Sequence, residues 1–209
     1  IHLLDGLLLD QSAMLVKDEA ELVVYAYHVA GTVGLLMCPV LGCEDRTAFR
    51  FAVDMGIGMQ LTNIARDILE DAQMGRRYLP ESWTGQLSPD QIVACAKAPE
   101  SQNYKQIQAA AERLLTLADQ YYESGRLGLG FLPVRARYGI AVAAEVYRAI
   151  GTKLRARKLR WGDGRVATSK SEKLSASLQA LSKLYRLPKA THNSNLHAPL
   201  NSLLDEALK

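Results

Sequence analysis

Apolar and polar residues along the chain recur with the spacing of amphipathic helices. Between residues 104 and 124 one helical face carries Ile107, Ala110, Ala111, Leu114, Leu115 and Ala118. The same spacing predicts further helices over 18–41, 46–74, 134–159 and 169–186, the second of them as one helix or as two collinear ones. No segment shows the two-residue alternation of a half-buried strand. The pattern therefore predicts an all-α protein with a single domain.

The chain also carries local signals for the boundaries of its elements. Residues 88–91 (SPDQ) place Ser, Pro and Gln at the N-cap, N1 and N3 positions of a capping box, which predicts a helix start. Residues 188–199 are polar and rich in Asn and His, a composition that predicts disorder. We therefore expect a domain over residues 1–187 and a flexible C-terminal tail over residues 188–209.

Composition narrows the class of protein. The 209-residue chain is 48% hydrophobic, enough for one buried core, and its net charge of +3 does not indicate nucleic-acid binding. Its three cysteines lack C-x-x-C spacing and are expected to be small buried residues, and its four scattered histidines do not suggest a zinc site. The longest apolar run, residues 29–41, is shorter than the ~20 residues that span a bilayer. With no recognisable signal peptide, this predicts a soluble or peripheral cytoplasmic protein.

A basic stretch precedes the last predicted helix. Between residues 153 and 173, eight basic residues stand against two acidic ones, with Trp161 among them. Such a cluster suits an anionic membrane surface, where each basic residue contributes about 1 kcal/mol, and Trp161 favours that interpretation. A solvated cationic face explains the same residues. Peripheral membrane association therefore stays open, as does the oligomeric state.

The most informative segment is residues 60–80, QLTNIARDILEDAQMGRRYLP. If this segment is helical, Asn63, Asp67 and Asp71 lie four residues apart and place one amide and two carboxylates on one face. Mg²⁺ binds through one or two carboxylates, keeps several waters and is often completed by substrate phosphates. The spacing therefore predicts a Mg²⁺ (or Mn²⁺) site that also binds a diphosphate.

The neighbours of this face bear on that hypothesis. Gly75 is expected to end the helix, and Arg76 and Arg77 directly after it could hold the same phosphate. Alternatively the face is only solvated, with Arg66 and Glu70 paired at i, i+4.

The helix predicted over residues 18–41 has an apolar face of a different kind. Tyr25, Val29 and Val33 recur every four residues, beside a strip of small residues around Gly34 that lets another backbone or a long chain approach closely. Ordinary core packing explains the same stripe.

Several stretches resemble the squalene/phytoene synthase family. Residues 60–83 are similar to the second aspartate-rich motif of that family. The stretches YAYHVAGTVGLLM (25–37), YYESGRLGLGFLP (121–133) and VYRAIGTKL with RVATSKSEKL (146–174) resemble its bacterial phytoene synthase branch. The match runs in register from about residue 5 to residue 187.

The resemblance implies a helical isoprenoid synthase fold around a central substrate cavity. It implies a prenyltransferase that condenses two allylic diphosphates head to head. In the phytoene branch two molecules of geranylgeranyl diphosphate are joined through prephytoene diphosphate, a cyclopropylcarbinyl diphosphate, to give phytoene for carotenoid biosynthesis. Mg²⁺ and arginines would neutralise each departing diphosphate, and an apolar tunnel would keep the allylic cation away from water.

The resemblance also implies roles for individual residues. The metal and its diphosphate would be held by Asn63, Asp67 and Asp71, the two aspartates being catalytic. The diphosphate would be bound or oriented by Arg66, also catalytic, and by Arg76 and Tyr78. The path of the cation would be lined by the catalytic residues Tyr25 and Tyr147, because tyrosine faces attract cations; a packed core residue explains Tyr147 equally well. The pocket would be shaped by Val29, Val33, Gly34, Met59 and Gln60.

One departure from the family pattern concerns its aspartates. The family carries two aspartate-rich motifs that face each other across the cavity, and one D-x-x-x-D occurs here, at Asp67. We therefore expect an N-terminally incomplete member that lacks the first helices and is, by itself, inactive, poorly folded or dependent on the missing segment.

Three alternatives stay open. A squalene- or dehydrosqualene-type synthase would act on farnesyl diphosphate. A non-catalytic, membrane-associated assembly factor of the same fold would need no metal motif. A plain helical interaction module would leave the sequence Gly-Arg-Arg-Tyr-Leu-Pro directly after the helix, residues 75–80, unexplained.

Overall fold

The computed structural model describes residues 2–9, 11, 14–184 and 191–207. The α-helices within them are α1 (His2–Leu9), α2 (Glu19–Ala26), α3 (Thr32–Val40), α4 (Ala48–Arg66), α5 (Ile68–Gln73), α6 (Glu81–Thr84), α7 (Pro89–Cys95), α8 (Gln102–Leu127), α9 (Val134–Ala156), α10 (Lys170–Leu184) and α11 (Asn201–Ala207). Short 3₁₀ helices occupy Gly128–Phe131, Trp161–Asp163 and Ser194–Leu200. Within the described ranges the one β-type contact is a bridge between Leu15 and Arg77. The all-α prediction is confirmed.

A π-helical segment, Tyr27–Gly31, joins α2 to α3 without a loop. The N–H of Thr32 donates to the carbonyl of Tyr27, five residues earlier, and the Thr32 hydroxyl donates to the carbonyl of His28 at 2.7 Å. The helix predicted over residues 18–41 therefore exists, but it contains one wider turn.

Helices α4 and α5 correspond to the second of the two forms predicted for residues 46–74. Asp67 separates them with φ −105° and ψ 15°. The hydrogen-bond ladder nevertheless continues, because Asp67 N–H donates to the Asn63 carbonyl at 2.9 Å and Asp71 N–H donates to the Asp67 carbonyl at 2.8 Å. Gly75, with φ +75°, ends α5 as predicted.

Helix α4 lies at the centre of the core and packs against α8 along its length. Its fully buried side chains include Val53, Ile57 and Leu61, which belong to the same apolar cluster as Ile107 and Leu114 of α8. Burying such side chains stabilises the fold by roughly 1.5–3 kcal/mol each before the cost of ordering them. This core fixes the helix that carries Asn63 and ends directly before Asp67.

Glycines allow α3 and its preceding π segment to approach α4 closely. A Cβ on Gly34 would stand 2.2 Å from the Ala52 carbonyl oxygen, and one on Gly56 would stand 2.3 Å from the Ala30 carbonyl oxygen. The small-residue strip seen in the sequence therefore serves helix–helix contact.

The helix start at Ser88 and the burial of the cysteines agree with the sequence predictions. Ser88 and Gln91 form a complete capping box at the start of α7, with Pro89 at its first position. All three cysteines, Cys38, Cys43 and Cys95, are buried and free.

The C-terminal segment differs from the expectation of a flexible tail. Over residues 191–207 it forms a 3₁₀ helix and α11, and Leu200 and Leu204 are fully buried in the main core. The Tyr121 hydroxyl donates to the Leu196 carbonyl at 2.8 Å. The prediction was wrong here because it weighed local polarity and missed the apolar Leu200–Leu204 pair. The predicted boundary at residues 187 and 188 lies outside the described residues.

One described segment, Glu19–Val40, is long and apolar enough to cross a membrane, with mean hydropathy 1.5 over its best window. It is longer than the apolar run seen in the sequence because it also includes α2. It packs against α4 and buries Tyr25, Ala26 and Tyr27, as a core helix of a folded domain does.

Candidate functional site

A cavity of about 300 Å³ lies between the helix of residues 27–40 and α4, and α8 and α9 complete its walls. Its lining is mostly apolar and includes Met37, Leu41, Phe51, Ala52, Met55, Leu129, Leu132 and Ile140. Along α4 the lining residues run from Ala48 to Asn63 at helical spacing, and the polar ones, Gln60 and Asn63, stand at its C-terminal end. The cavity therefore has an apolar length and a polar end, as a prenyl diphosphate requires.

Seven of the residues singled out in the sequence line this cavity. They are Val29, Val33, Gly34, Met59, Gln60, Asn63 and Tyr147. The structure thus brings together residues from three separate stretches of sequence, while their individual roles stay predictions.

Asn63 carries the clearest sign of a missing ligand. Its Nδ2 donates to Gln60 Oε1 at 3.4 Å, whereas its Oδ1 is buried and has no hydrogen-bond partner among the described residues. A buried acceptor without a partner costs about 1–3 kcal/mol. An amide oxygen is also a hard ligand of the kind that Mg²⁺ accepts. The residue therefore fits the metal predicted for it.

Asp67 is held by two arginines. Arg66 binds its carboxylate in a bidentate pair, with Nε–Oδ1 at 2.7 Å and a terminal nitrogen to Oδ2 at 2.6 Å, and Arg165 Nε lies 3.3 Å from Oδ1. The hydrogen bonds that Arg66 donates to the Asp67 carboxylate raise the pKa of Arg66 above its ordinary value. These guanidinium groups, beside a cavity with a polar end, are suited to exchange a carboxylate for a phosphate.

Asp71, Arg76 and Tyr78 lie apart from the main cavity. They line a separate small pocket between α5 and α7, together with Arg77. Continued helical hydrogen bonding keeps Asp71 one turn beyond Asp67, so its predicted metal role stays a prediction.

Arg77 does not fulfil the expectation of a phosphate ligand. It is only 5% exposed, and its guanidinium donates to the carbonyls of Leu87 and Val16 at 2.9 and 3.1 Å and pairs with Glu81 at 3.2 Å. Its backbone also bridges to Leu15. Arg77 instead links the segments that contain Val16 and Leu87, because these carbonyls and Glu81 already surround its buried charge.

Tyr25 lies outside the lining of the main cavity. It is 2% exposed and stacks on Tyr78, with ring centroids 4.8 Å apart. Tyr25 lies one helical turn before Val29, the first residue of this helix that lines the cavity, so a shared face does not bring its side chain to the wall. Its predicted place on the cavity wall differs from the structure for that reason, and its catalytic role stays a prediction.

Sequence reasoning missed two kinds of site residue. Arg165 was counted only as part of the basic stretch, although it reaches Asp67 across about a hundred residues of sequence. Phe51 and Met55 continue the Met59–Asn63 face at helical spacing, and that spacing was a signal that could have found them.

Comparison with known proteins identifies the family. The Squalene/phytoene synthase family matches residues 1–172. A 15-cis-phytoene synthase of Enterobacter agglomerans is 42% identical over 157 residues, which are 75% of this chain and 52% of that protein. A phytoene synthase of Pseudescherichia vulneris is 39% identical over 185 residues, which are 88% of this chain and 58% of that protein. The chain thus spans little more than half the length of these relatives.

Solved structures agree with this assignment. A dehydrosqualene synthase in complex with a ligand superposes with a TM-score of 0.76 at 30% identity, covering 88% of this chain and 64% of that one. The helical cavity, the Asn63–Asp67 face and these matches lead to one conclusion: the chain belongs to the squalene/phytoene synthase family.

Proposed function

We propose that the protein is a phytoene synthase, a prenyltransferase that joins two molecules of geranylgeranyl diphosphate head to head and releases diphosphate in carotenoid biosynthesis. The observation that carries the proposal is the apolar cavity whose polar end is formed by Gln60 and Asn63, one turn before Asp67. The names of the bacterial relatives support the choice of substrate.

The residues of this chain suggest how the reaction is assisted. A prenyl chain in the cavity would place its diphosphate near Asn63, where Arg66 and Arg165 can donate to the departing anion once they leave Asp67. The apolar walls exclude water from the allylic cation, and the face of the Tyr147 ring can stabilise that cation.

Metal dependence is general in this family, and we propose Mg²⁺ (or Mn²⁺) here. Asn63 Oδ1 and the carboxylates of Asp67 and Asp71 would hold it. A bound Mg²⁺ supplies positive charge that stabilises the leaving diphosphate.

The test uses the gene product expressed from its own start codon. Incubation with Mg²⁺ and geranylgeranyl diphosphate should give a C40 hydrocarbon. Asp67→Asn should lower kcat by about 10²-fold or more, and the matched control Asp90→Asn, an exposed position at the start of α7, should not change it. A C30 product from farnesyl diphosphate alone would replace the proposal with a dehydrosqualene- or squalene-type synthase. A folded protein inactive on both substrates would favour an assembly factor.

We also propose that the protein is cytoplasmic and contacts the membrane through α10. Its outer face exposes Leu174, Leu178 and Leu181 at helical spacing, 48–64% accessible, with Lys170 and Lys173 on the same side. Apolar side chains flanked by lysines suit an anionic lipid surface.

Trp161 and two basic residues of the stretch predicted to support membrane binding are engaged within the fold instead. Trp161 is 4% exposed, stacks on Tyr104 with centroids 4.7 Å apart, and donates to its carbonyl, so it cannot act as an interfacial anchor. Several basic residues of the stretch form ion pairs, as Lys153 does with Glu172 and Arg160 with Asp163.

Sedimentation with phosphatidylserine-containing vesicles tests the lipid contact. Replacing Leu174, Leu178 and Leu181 together by serine should abolish most of the binding. Val40→Ser, which alters an even more exposed apolar residue on α3, should leave it unchanged. Equal binding by both variants would reject the α10 surface.

A further inference from the structure

Asp54 is a buried carboxylate that the proposed reaction does not use. It lies in the middle of α4, is fully buried, and sits between Phe51 and Met55, which line the cavity. A buried ionised carboxylate is costly unless hydrogen-bond donors surround it. Its surroundings therefore need an explanation.

Three donors from two other elements meet this carboxylate. His197 Nε2 lies 2.6 Å from Oδ1, His192 Nε2 lies 2.9 Å from Oδ2, and the Ser124 hydroxyl of α8 donates to Oδ2 at 2.5 Å. Burial alone would raise the pKa of Asp54, but these hydrogen bonds outweigh it and lower the pKa below its ordinary value. Both histidines belong to the C-terminal segment, residues 191–207.

The C-terminal segment contacts residues of α4 and α8 but does not itself line the cavity. The His192 ring packs edge-on against Phe51, with centroids 5.2 Å apart, and Tyr121 of α8 holds the Leu196 carbonyl. None of residues 191–207 lines the cavity. Any influence of the segment on the cavity must therefore pass through α4 and α8.

A metal ion is the competing explanation, since Asp54, His192 and His197 bring three ligand atoms within 4.8 Å of one another. The contacts favour hydrogen bonds instead. Each carboxylate oxygen already accepts from a donor, and His197 Nδ1 is buried without a partner in the described structure. Metal-bound imidazoles almost always donate from their second nitrogen.

We propose that Asp54 is a positioning residue: its carboxylate docks the C-terminal segment through His192 and His197, and this docking holds the Phe51–Met55 wall of the cavity in its ligand-binding form. The proposal concerns the cavity as an apolar binding site and does not rest on the reaction proposed for it.

The experiment compares substitutions at Asp54 and His197 with a matched change elsewhere in the segment. His197→Leu removes a donor, and Asp54→Asn weakens the acceptor. His197→Gln retains an N–H donor, and Ser202→Ala alters an exposed residue of α11. Hydrogen exchange follows the amides of residues 194–207 and of α4, and calorimetry measures the affinity of 1-decanol, an apolar chain without phosphate.

We expect His197→Leu and Asp54→Asn to speed exchange in residues 194–207 and around Phe51 by about tenfold or more, and to weaken decanol binding in parallel. His197→Gln should recover most of both, and Ser202→Ala should change neither. If His197→Leu fails to fold, His192→Leu, at a position 10% exposed, provides the same comparison.

Three results would overturn the proposal. Unchanged exchange in residues 194–207 would show that Asp54 does not hold the segment. Faster exchange in residues 194–207 with unchanged decanol affinity would show that docking of the segment does not affect binding in the cavity. Stoichiometric zinc in the purified protein, whose removal by EDTA reproduces the effects, would replace the hydrogen-bonded anchor with a metal site.

Discussion

Replacing Gly34 by alanine should destabilise this protein, although alanine is the better helix former. The added Cβ would stand 2.2 Å from the carbonyl oxygen of Ala52 and 2.7 Å from its carbonyl carbon. Ordinary contact begins at 3.4 Å, and the atoms that it meets belong to the backbone of α4. No side-chain rotation can relieve the overlap, so α3 and α4 must move apart by about 1 Å.

The magnitude follows from two opposing terms. Alanine gains roughly 1 kcal/mol over glycine in a helix interior. Overpacking a tight contact costs about 1–3 kcal/mol and occasionally more, and a backbone-to-backbone clash belongs at the upper end. We expect a net loss of about 1–2 kcal/mol in the free energy of unfolding, which in a chain of this length lowers Tm by roughly 2–8 °C.

Equilibrium unfolding in urea, followed by far-UV circular dichroism, measures this loss. Gly139→Ala is the matched control, because Gly139 also lies inside a helix but has no atom within 4 Å of the added Cβ. That variant should gain about 0.5–1 kcal/mol. If both variants are stabilised to a similar extent, α3 and α4 do not meet at this contact and the reasoning fails.

Three further predictions concern single side chains. Arg77→Leu should lower the free energy of unfolding by about 2–4 kcal/mol, because two loop carbonyls lose their buried donor; urea unfolding with no change would contradict this. Hydrogen bonds from the Ser169 backbone and from Lys153 lower the pKa of Glu172 from 4.5 to about 2, so its carboxylate stabilises the start of α10 above pH 4.5 and loses this effect as pH falls towards 2. The Tm difference between wild type and Glu172→Gln should therefore shrink from neutral pH to about pH 3, and a constant difference would refute it. Burial raises the pKa of Cys38 to about 11, so iodoacetamide should alkylate native protein far more slowly than urea-unfolded protein at about pH 8.

Features that depend on neighbours in sequence could be predicted well. The helices, the Ser88 capping box and the Gly75 terminus follow from periodicity and backbone preference, which act over a few residues. The cavity-lining faces around Val33 and Met59 were found because a helix presents residues three and four apart on one side.

Features that depend on distant contacts could not be predicted in this way. Asp67 and Arg165 meet because α9 packs against α4 and the 3₁₀ helix Trp161–Asp163 after it packs against α5, and nothing in either local sequence specifies that pair. The C-terminal segment is polar by composition, yet Leu200 and Leu204 join the main core and His197 meets Asp54 of α4, and only the folded core creates these positions. Tyr25 was misplaced because helical spacing predicts which residues share a face but not how far along the helix the cavity extends.

The π segment Tyr27–Gly31 makes the number of residues in this helix as important as their identity. Ordinary α-helical bonding over the same five residues would turn everything after them by about 100° relative to α4, because the wider turn absorbs one residue. Gly34 would leave the Ala52 carbonyl, a side chain would take its place, and the cavity face of α3 would turn away, while α2 kept its own contacts. A one-residue deletion that closes the π turn should therefore preserve the contact of α3 with α4, whereas an insertion within these five residues should turn α3 out of register.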